Sequence, residues 1–244
     1  MMKKVVLAAL LAGLSLSATA AQTIRFATEA SYPPFEFVDS DNKIQGFDVD
    51  LANALCKEID ADCTFTNQAF DSLIPSLKFR RFDAVMAGMD ITPEREKQVL
   101  FTKAYYDNSA TFIVQKGKVT DAAALKGKRV GVQNGTTHQK YLSEKQTGVT
   151  TVPYDSYQNA ILDLKNGRID AVFGDTAVVN EWLKQNPNLA ALGDKVTDKA
   201  YFGTGLGIAL RQGNTDLQGK FNAALDKVKA DGTYKTIYEK WFQQ

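Results

Sequence analysis

Histidine and cysteine are scarce in this chain of 244 residues, and neither sign of charge predominates. The single histidine, His138, has no evident nucleophilic partner, and no metal-ligand cluster is apparent, so nucleophilic and metal-dependent catalysis have no support. Lysine and arginine number 29 against 28 aspartate and glutamate residues, a formal net charge of +1. Without a basic or acidic block, a nucleic acid partner has no support either. We therefore expect no metal, no cofactor and no nucleic acid.

Only one long hydrophobic run occurs, and it lies at the N-terminus. "MMKK" is basic, "VVLAALLAGLSL" is apolar, and Ala18-Thr19-Ala20 has the small-x-small pattern of a cleavage site. A membrane anchor is the alternative interpretation, but the run is short for a membrane span and no second hydrophobic run follows. Residues 1–20 are therefore predicted to be a signal peptide, cleaved after Ala20. No cysteine follows closely, so nothing indicates a lipoprotein.

The two cysteines, Cys56 and Cys63, follow the signal segment and would reach a compartment that permits disulfides. In "LANALCKEIDADCTF" a helix is predicted to end near Cys56 and a strand to begin near Cys63. The short link can bring the two sulfur atoms together. We predict a disulfide that braces this region locally, with two buried thiols as the alternative.

The rest of the chain alternates strand and helix patterns, which is typical of an α/β fold with parallel strands. "FDSLIPSLKFRR" is predicted to be a helix, "FDAVMAG" a buried strand, and "YFGTGLGIAL" a glycine-rich stretch that becomes a strand. "SLKFRRFDAVMAGMD" is echoed by "DLKNGRIDAVFGDTA", so that Asp83 corresponds to Asp170. The echo predicts two similar lobes, and two crossovers predict a two-segment hinge. We expect lobe 1 to comprise residues 21–108 and 204–244, and lobe 2 to comprise residues 109–203.

Ligands of open α/β sheets bind beyond the carboxyl ends of the strands, and this rule selects a set of candidate residues. They include three carboxylates, one guanidinium, aromatic rings and exposed backbone N–H groups: Glu29, Tyr32, Gly88, Asp90, Arg95, Gln133, Thr137 and Asp175. Each has a simpler interpretation. Glu29 could be an exposed loop acid, Asp175 could cap the following helix, and His138 is expected to be a cap or a surface residue. Phe70, before a helix, could be a hydrophobic staple.

"AGMDITPERE" is the most informative stretch. Thr92-Pro93 predicts a helix start, which puts Arg95 in the first turn, where the helix dipole disfavours a cation. An ion pair with Asp90 is one explanation. The other is a ligand with both charges, because Arg95 could hold a carboxylate while Asp90 and Asp175 hold an ammonium group. Such a site fits an α-amino acid, and Glu29 beside aromatic rings favours a cationic side chain.

The sequence resembles the periplasmic amino-acid-binding proteins of ABC uptake systems, in the polar and basic amino acid cluster, and the arginine binders above all. The matching pieces span nearly the whole chain after the signal, in the family's order: "ATEASYPPFEF", "GFDVDLANALC", "FDSLIPSL", "FDAVMAGMDITPEREKQVLFT", "LKGKRVGVQNGTT", "GRIDAVFGD" and "DGTYKTIYEKW". The resemblance implies the type II binding-protein fold. It also implies a monomer that captures L-arginine or another cationic amino acid and delivers it to an inner-membrane permease.

Carried over onto matching positions, the resemblance assigns a role to each candidate. Arg95 and Thr137 would hold the ligand carboxylate, and Asp175, Asp90 and the Gly88 carbonyl the ammonium. Tyr32 and Phe70 would flank the ligand side chain, and Glu29 would face its distal cation. The chain departs from the family at Asp90, commonly Ser or Thr, and at Gln133 and His138, where lysine/arginine/ornithine binders have hydrophobic and Gln residues.

Three alternatives remain at this stage. The chain could bind lysine, arginine, ornithine and histidine more broadly. It could be an enzyme, since dehydratases occur on this superfold. It could also be the sensor module of a receptor, which would require a membrane span after "YEKWFQQ".

Overall fold

The computed structural model describes residues 22–243, and the predicted signal peptide, residues 1–20, lies outside the described residues. The first part of the chain alternates strands and helices as the sequence predicts. Its elements are β1 (Gln22–Thr28), β2 (Ser31–Tyr32), β3 (Glu36–Val38), β4 (Ile44–Gln45), α1 (Phe47–Glu58), β5 (Ala61–Asn67), α2 (Leu73–Lys78), β6 (Ala84–Val85), α3 (Pro93–Glu96) and β7 (Val99–Phe101). A 3-10 turn, Phe70–Ser72, leads directly into α2.

The middle of the chain builds a second set of elements, and the last part returns to the first lobe. The second set comprises β8 (Ala110–Gln115), β9 (Arg129–Gln133), α4 (Thr137–Glu144), β10 (Thr150–Tyr154), α5 (Tyr157–Lys165), β11 (Ala171–Asp175), α6 (Thr176–Gln185), β12 (Leu189–Val196) and α7 (Lys199–Phe202). The last part comprises β13 (Ala209–Arg211), α8 (Thr215–Ala230) and α9 (Thr233–Phe242).

Two five-stranded sheets form the two lobes. The first sheet has the order β5-β1-β6-β13-β7 and the second the order β10-β9-β11-β8-β12. In each, a central strand has parallel neighbours on both sides, β1 in the first and β9 in the second. The fourth strand of each sheet pairs antiparallel with both of its neighbours. The predicted two-lobed α/β architecture is confirmed.

The sequence echo around Asp83 and Asp170 corresponds to a structural one. The backbone N–H of Asp83 donates to the carbonyl of Arg25, and that of Asp170 to the carbonyl of Arg129. Each carboxylate in turn accepts from the backbone N–H of the same arginine, at 3.1 Å for Asp83 and 2.9 Å for Asp170. Each aspartate directly precedes the third strand of its sheet, β6 or β11, and hydrogen-bonds it to the central strand, β1 or β9. The repeated sequence motif therefore has the same structural role in both lobes.

The chain crosses between the sheets twice, once between β7 and β8 and once between α7 and β13. The crossovers run side by side, because Tyr105 N–H donates to the Leu206 carbonyl and Leu206 N–H to the Tyr106 carbonyl, both at 2.8 Å. The lobe boundaries expected at residues 108/109 and 203/204 fall in these two connections.

Two predicted elements are shorter than their sequence patterns indicate. The helix expected over "FDSLIPSLKFRR" ends at Lys78, and Arg80 follows with a left-handed φ of 60°. The strand expected over "FDAVMAG" forms only at Ala84–Val85. Within this strand stretch, Gly88 has a φ of 52°, which is incompatible with a regular strand. The glycine-rich stretch "YFGTGLGIAL" becomes a strand at its end, where β13 begins, and Leu206 within it makes isolated bridges to Asp90 and Tyr106.

The predicted disulfide is confirmed. Cys56 and Cys63 are bonded and join the end of α1 to β5, with their Cα atoms 6.0 Å apart. Between residues 22 and 243, none of the helices combines the length and the apolar character needed to traverse a bilayer.

Candidate functional site

The nine residues selected from the sequence come together between the two lobes. They line one enclosed cavity at the carboxyl ends of β1, β6, β9 and β11: Glu29, Tyr32, Phe70, Gly88, Asp90, Arg95, Gln133, Thr137 and Asp175. Three further residues, Glu36, Thr136 and His138, complete its lining. The strand-end rule therefore finds most of this cavity.

Arg95 lies in the first turn of α3, as the Thr92-Pro93 signal predicts. The Thr92 hydroxyl caps the helix by accepting from Arg95 N–H at 3.3 Å. The buried guanidinium donates to the Asp90 carbonyl at 3.0 Å and, across the lobes, to the Gly135 carbonyl at 3.2 Å. It also lies over the Phe70 ring, 5.5 Å from the centroid. Burial lowers the pKa of Arg95 from its ordinary value, while Asp90 and Asp175 oppose that shift.

Two buried aspartates from opposite lobes flank the other side of the cavity. The Thr137 hydroxyl donates to Asp90 at 2.6 Å, and the Tyr32 hydroxyl donates to Asp175 at 2.6 Å. Burial, followed by the charge of Asp175, raises the pKa of Asp90 to about 6. Asp175 occupies the N-cap position of α6, but its side chain makes no capping bond. The interpretation of Asp175 as a helix cap is therefore wrong, because its carboxylate points into the site.

Aromatic rings form one wall of the cavity. Tyr32 stacks on Tyr157 at a centroid distance of 5.4 Å, and its edge contacts Trp182 at 6.5 Å. Burial raises the pKa of the Tyr32 phenol well above its ordinary value, so the hydroxyl remains a donor to Asp175. A Cβ at Gly88 would lie 3.2 Å from this ring. Gly88 is thus required both by its left-handed backbone and by the approach of Tyr32.

Glu29 and Gln133 also line the cavity. Glu29 is buried, accepts from the Ser31 hydroxyl, and has its pKa raised by burial. It is therefore not the exposed loop acid of the simpler interpretation. Gln133 is buried at the end of β9 and donates to the Asp155 carbonyl at 3.1 Å. A buried carboxylate attracts a cation.

Several functional groups were missed or misjudged from sequence. His138 is not a surface residue: its side chain is buried, and Nε2 lies 3.0 Å from Asp175. Glu36 is fully buried beside Asp48, and Asn108 bridges Asp90 and Asp175. Asn108 lies in a connection where no periodic pattern points to an orientation, so the sequence offers no signal for it. The strand-end rule does point to His138, which follows β9 in the first turn of α4, but a lone histidine in a turn is more often a cap or a surface residue.

The enclosed space is small because the side chains partner with one another across it. It measures about 10 Å³, room for about one water molecule. A groove of about 900 Å³ between α3 and α4 leads to it, and Arg95, Thr136 and Thr137 line both spaces. An ion pair between Glu94 and Lys140 joins the lobes at this groove. A molecule as large as an amino acid can therefore enter only when the lobes separate.

Chemically, the cavity offers one cation, several carboxylates and aromatic faces. Such a set suits a ligand with one anionic group and two cationic groups. Within residues 22–243 no cluster of three or more His, Cys, Asp or Glu side chains could hold a metal ion.

Comparisons with known proteins identify the family of the chain. The family model for bacterial extracellular solute-binding proteins, family 3, matches residues 24–244. A "putative ABC transporter arginine-binding protein 2" of Escherichia coli (strain K12) is 78% identical, with 100% of both chains aligned. The lysine/arginine/ornithine-binding periplasmic protein of the same organism is 37% identical over 99% of this chain and 97% of its own.

Solved structures show the same fold. A Salmonella typhimurium periplasmic binding protein, described as having high arginine specificity, superimposes with a TM-score of 0.88 at 57% identity. The match covers 91% of this chain and 100% of that one. The two lobes thus form a type II periplasmic binding-protein fold, and the chain belongs to family 3 of the bacterial extracellular solute-binding proteins.

Proposed function

We propose that this chain is a periplasmic receptor that encloses L-arginine between its lobes and delivers it, chemically unchanged, to an inner-membrane ABC permease. The observation that carries the proposal is the charge pattern of the cavity. Arg95, Asp90, Asp175 and Glu29 line one cavity together with the aromatic rings of Tyr32 and Phe70. L-arginine carries a carboxylate, an ammonium and a planar guanidinium in that order.

Each group of arginine has a counterpart in this proposal. The guanidinium of Arg95 pairs with the ligand carboxylate, helped by N–H groups at the start of α4 near Thr137. The ammonium lies between Asp90, Asp175 and the Gly88 carbonyl. The ligand side chain passes between Tyr32 and Phe70 toward Glu29 and Gln133. A planar cation gains both stacking and a bidentate contact in such a channel.

The lobes would separate for entry and close on the ligand, with the two crossovers as the hinge. In this view residues 21–108 and 204–244 move as one body and residues 109–203 as the other. Removal of residues 1–20 would accompany export, and the mature protein would act as a monomer. The similarity to arginine-binding proteins of E. coli and S. typhimurium supports this ligand.

A broader specificity is the second candidate. The 37% identity to a lysine/arginine/ornithine-binding protein supports it, since that protein covers nearly the whole of this chain. Arginine and ornithine differ in the distal group that would face Glu29, so their relative affinities separate the two candidates.

Calorimetry on ligand-stripped protein tests the proposal. Arginine should bind with sub-micromolar to micromolar affinity and should be recovered unchanged. Citrulline, which has the shape of arginine without the distal charge, should bind much more weakly. Arg95→Ala should remove binding of every amino acid. Glu29→Gln should lower the affinity for arginine about 10- to 100-fold and hardly change the affinity for citrulline, because only arginine loses a charge-assisted contact.

Glu144→Gln, which removes an exposed carboxylate at the end of α4, is the matched control and should bind arginine like the native protein. Absence of binding to any cationic amino acid would refute the receptor proposal. Equal losses for arginine and citrulline in Glu29→Gln would refute the role of Glu29 alone.

A further inference from the structure

The side chain of Asn108 joins the two aspartates that face each other across the lobes. Its Nδ2 donates to Asp90 Oδ1 at 2.8 Å and to Asp175 Oδ1 at 2.7 Å. Asn108 itself lies in the crossover between β7 and β8, two residues before β8 begins. One amide group thus contacts a carboxylate of each lobe from the connection between them.

The orientation of this amide is fixed by a third hydrogen bond. The Ser109 backbone N–H donates to Asn108 Oδ1 at 2.8 Å. Because Oδ1 accepts that bond, the NH₂ group must face the carboxylates, and both of its hydrogens have an acceptor. Ser109 is in turn tied to the start of α6, where its hydroxyl donates to the Thr176 hydroxyl at 2.9 Å.

Asn108 approaches the aspartates from outside the enclosed cavity. It is absent from the residues that line that cavity and instead borders a groove of about 400 Å³ on the hinge side, with Tyr106, Ser109 and Trp241. Asp90 and Asp175 line the enclosed cavity itself. Asn108 therefore contacts the two carboxyl groups from outside the enclosed cavity that they line.

Two buried carboxylates at close quarters repel, and the groups around them determine whether both can be ionised. Asp90 is faced by Thr137, Arg95, His138, Asp175 and Asn108. Asp175 is faced by Tyr32, His138, Asp90 and Asn108. Among the hydrogen bonds of the described residues, Asn108 is the donor that the two carboxylates share. It is neutral, so it stabilises their charges by donation without competing as a cation for the site.

We propose that Asn108 is a positioning residue that holds the carboxyl groups of Asp90 and Asp175 together and aligned, so that the ammonium group of an amino acid meets both in the closed molecule. This inference rests on the proposed function and deepens it, because it assigns the ammonium subsite a component that lies in the hinge connection. Closing the lobes assembles the subsite, since Asn108 can join the two carboxylates only when both lobes meet at the hinge.

The test compares Asn108→Leu, which keeps the branched shape and removes the donors, with Asn108→Ala and with the native protein. Asn180→Leu, an exposed asparagine on α6, is the control. Arginine affinity is measured by calorimetry from pH 5 to pH 8. We expect Asn108→Leu to lower the affinity for arginine about 10- to 100-fold, the usual effect of losing hydrogen bonds to charged groups. The loss should be greater at pH 5.5 than at pH 8.

The pH dependence is the part that a merely structural role would not produce. The pKa of Asp90 is already raised to about 6, and loss of the amide donor raises it further. Protonated Asp90 is a poor acceptor for an ammonium group, so binding in the variant should fail at a higher pH than in the native protein. Repeating the titrations in buffers of different ionisation enthalpy should show proton release on binding, shifted to higher pH in Asn108→Leu.

A second measurement needs no variant at position 108. In ¹⁵N-labelled native protein with arginine, the side-chain amide protons of Asn108 should resonate well downfield of those of Asn180, and they should move upfield in Asp90→Asn. Equal chemical shifts for the two asparagines would overturn the proposal. So would a loss of affinity in Asn108→Leu that is the same at every pH, or no loss at all. Any of these results would refute the role of Asn108 alone, provided that the native protein binds arginine. Failure of the native protein to bind arginine would refute both the role of Asn108 and the receptor proposal.

Discussion

Glu36 and Asp48 form a buried acidic pair beneath the proposed ligand site. Asp48 accepts from the Gly88 backbone N–H at 3.0 Å and from the Tyr105 hydroxyl at 2.8 Å, so it holds Gly88 in its left-handed conformation. Glu36 is fully buried, and its carboxyl group lies beside that of Asp48. Burial, followed by the charge of Asp48, raises the pKa of Glu36 well above its ordinary value, and burial raises that of Asp48 to about 6. Glu36 therefore carries a proton where an ordinary glutamate would not.

Glu36→Gln tests this protonation state. A group whose pKa is raised by folding stabilises the folded state fully below its unfolded pKa, and the contribution is lost as pH rises through the folded pKa. The contribution of Glu36 to the unfolding free energy of the native protein should thus fall as pH rises. The variant has no ionisable group at position 36 and should not show this decrease. Urea denaturation should give equal unfolding free energies at pH 4.5. At pH 8 we expect the variant to be more stable by about 1–3 kcal/mol, because only the native protein must keep a carboxyl group protonated above its unfolded pKa.

Glu144→Gln provides the comparison, because its carboxylate is exposed and should give no pH-dependent difference. A variant at position 36 that is less stable than the native protein at pH 8 would contradict a protonated Glu36.

At the scale of elements, the sequence predicted the site better than it predicted the lengths of helices and strands. The ends of β1, β6, β9 and β11 could be located because buried apolar runs stop at polar or glycine residues there. The caps of α3 and α4 are local too: Thr92 and Thr136 each accept from a backbone N–H three residues on. Element lengths depend on distant partners, as with β6, which pairs over two residues. Asn108 and Glu36 owe their roles to contacts between segments far apart in the chain, which no local pattern records.

The disulfide joins two neighbouring elements of lobe 1, far along β5 from the carboxyl end that faces the site. Cys63 pairs in register with Ile24, whereas the strand end pairs Asn67 with Thr28. Replacing both cysteines, Cys56→Ala with Cys63→Ala, frees a loop whose ends are 7 residues apart. We expect the unfolding free energy to fall by about 2–3 kcal/mol, from the chain entropy gained by the unfolded state. Urea denaturation of the native and double-variant proteins measures this change.

Arginine affinity of the folded double variant should match that of the native protein within about threefold, a difference of under about 0.7 kcal/mol. A large loss of affinity with an unchanged unfolding free energy would show that the bond positions α1 and Asp48 for binding instead of bracing lobe 1.

For the molecule as a whole, folding concentrates carboxyl groups between the lobes. Burial raises the pKa of Glu29, Glu36, Asp48 and Asp90, the last two to about 6. Surface carboxylates such as Asp83 and Asp198 shift the other way, because Arg25 and Lys145 hydrogen-bond to them. Those pairs are solvent-exposed and contribute little. The buried groups bind more protons in the folded than in the unfolded state between their ordinary pKa values and about pH 6, so they lower stability as pH rises.

A ligand that brings two cationic groups to these carboxyl groups should reverse this effect. The reversal can be measured as the difference between the melting temperatures with and without arginine. The ammonium and guanidinium lower the pKa of the carboxyls they meet, so bound protein keeps the stability that free protein loses above pH 5. The contributions of the surface carboxylates cancel in this difference, because they are the same with and without arginine.

At an arginine concentration 100-fold above its Kd at pH 7.5, binding stabilises the folded state by about 2.7 kcal/mol. For a chain of this size that is an increase in melting temperature of about 5–10 °C. At pH 5 and the same arginine concentration the increase should be clearly smaller, and Arg95→Ala should show none at either pH. An increase of the same size at pH 5 and pH 7.5 would mean that arginine does not meet the buried carboxyls.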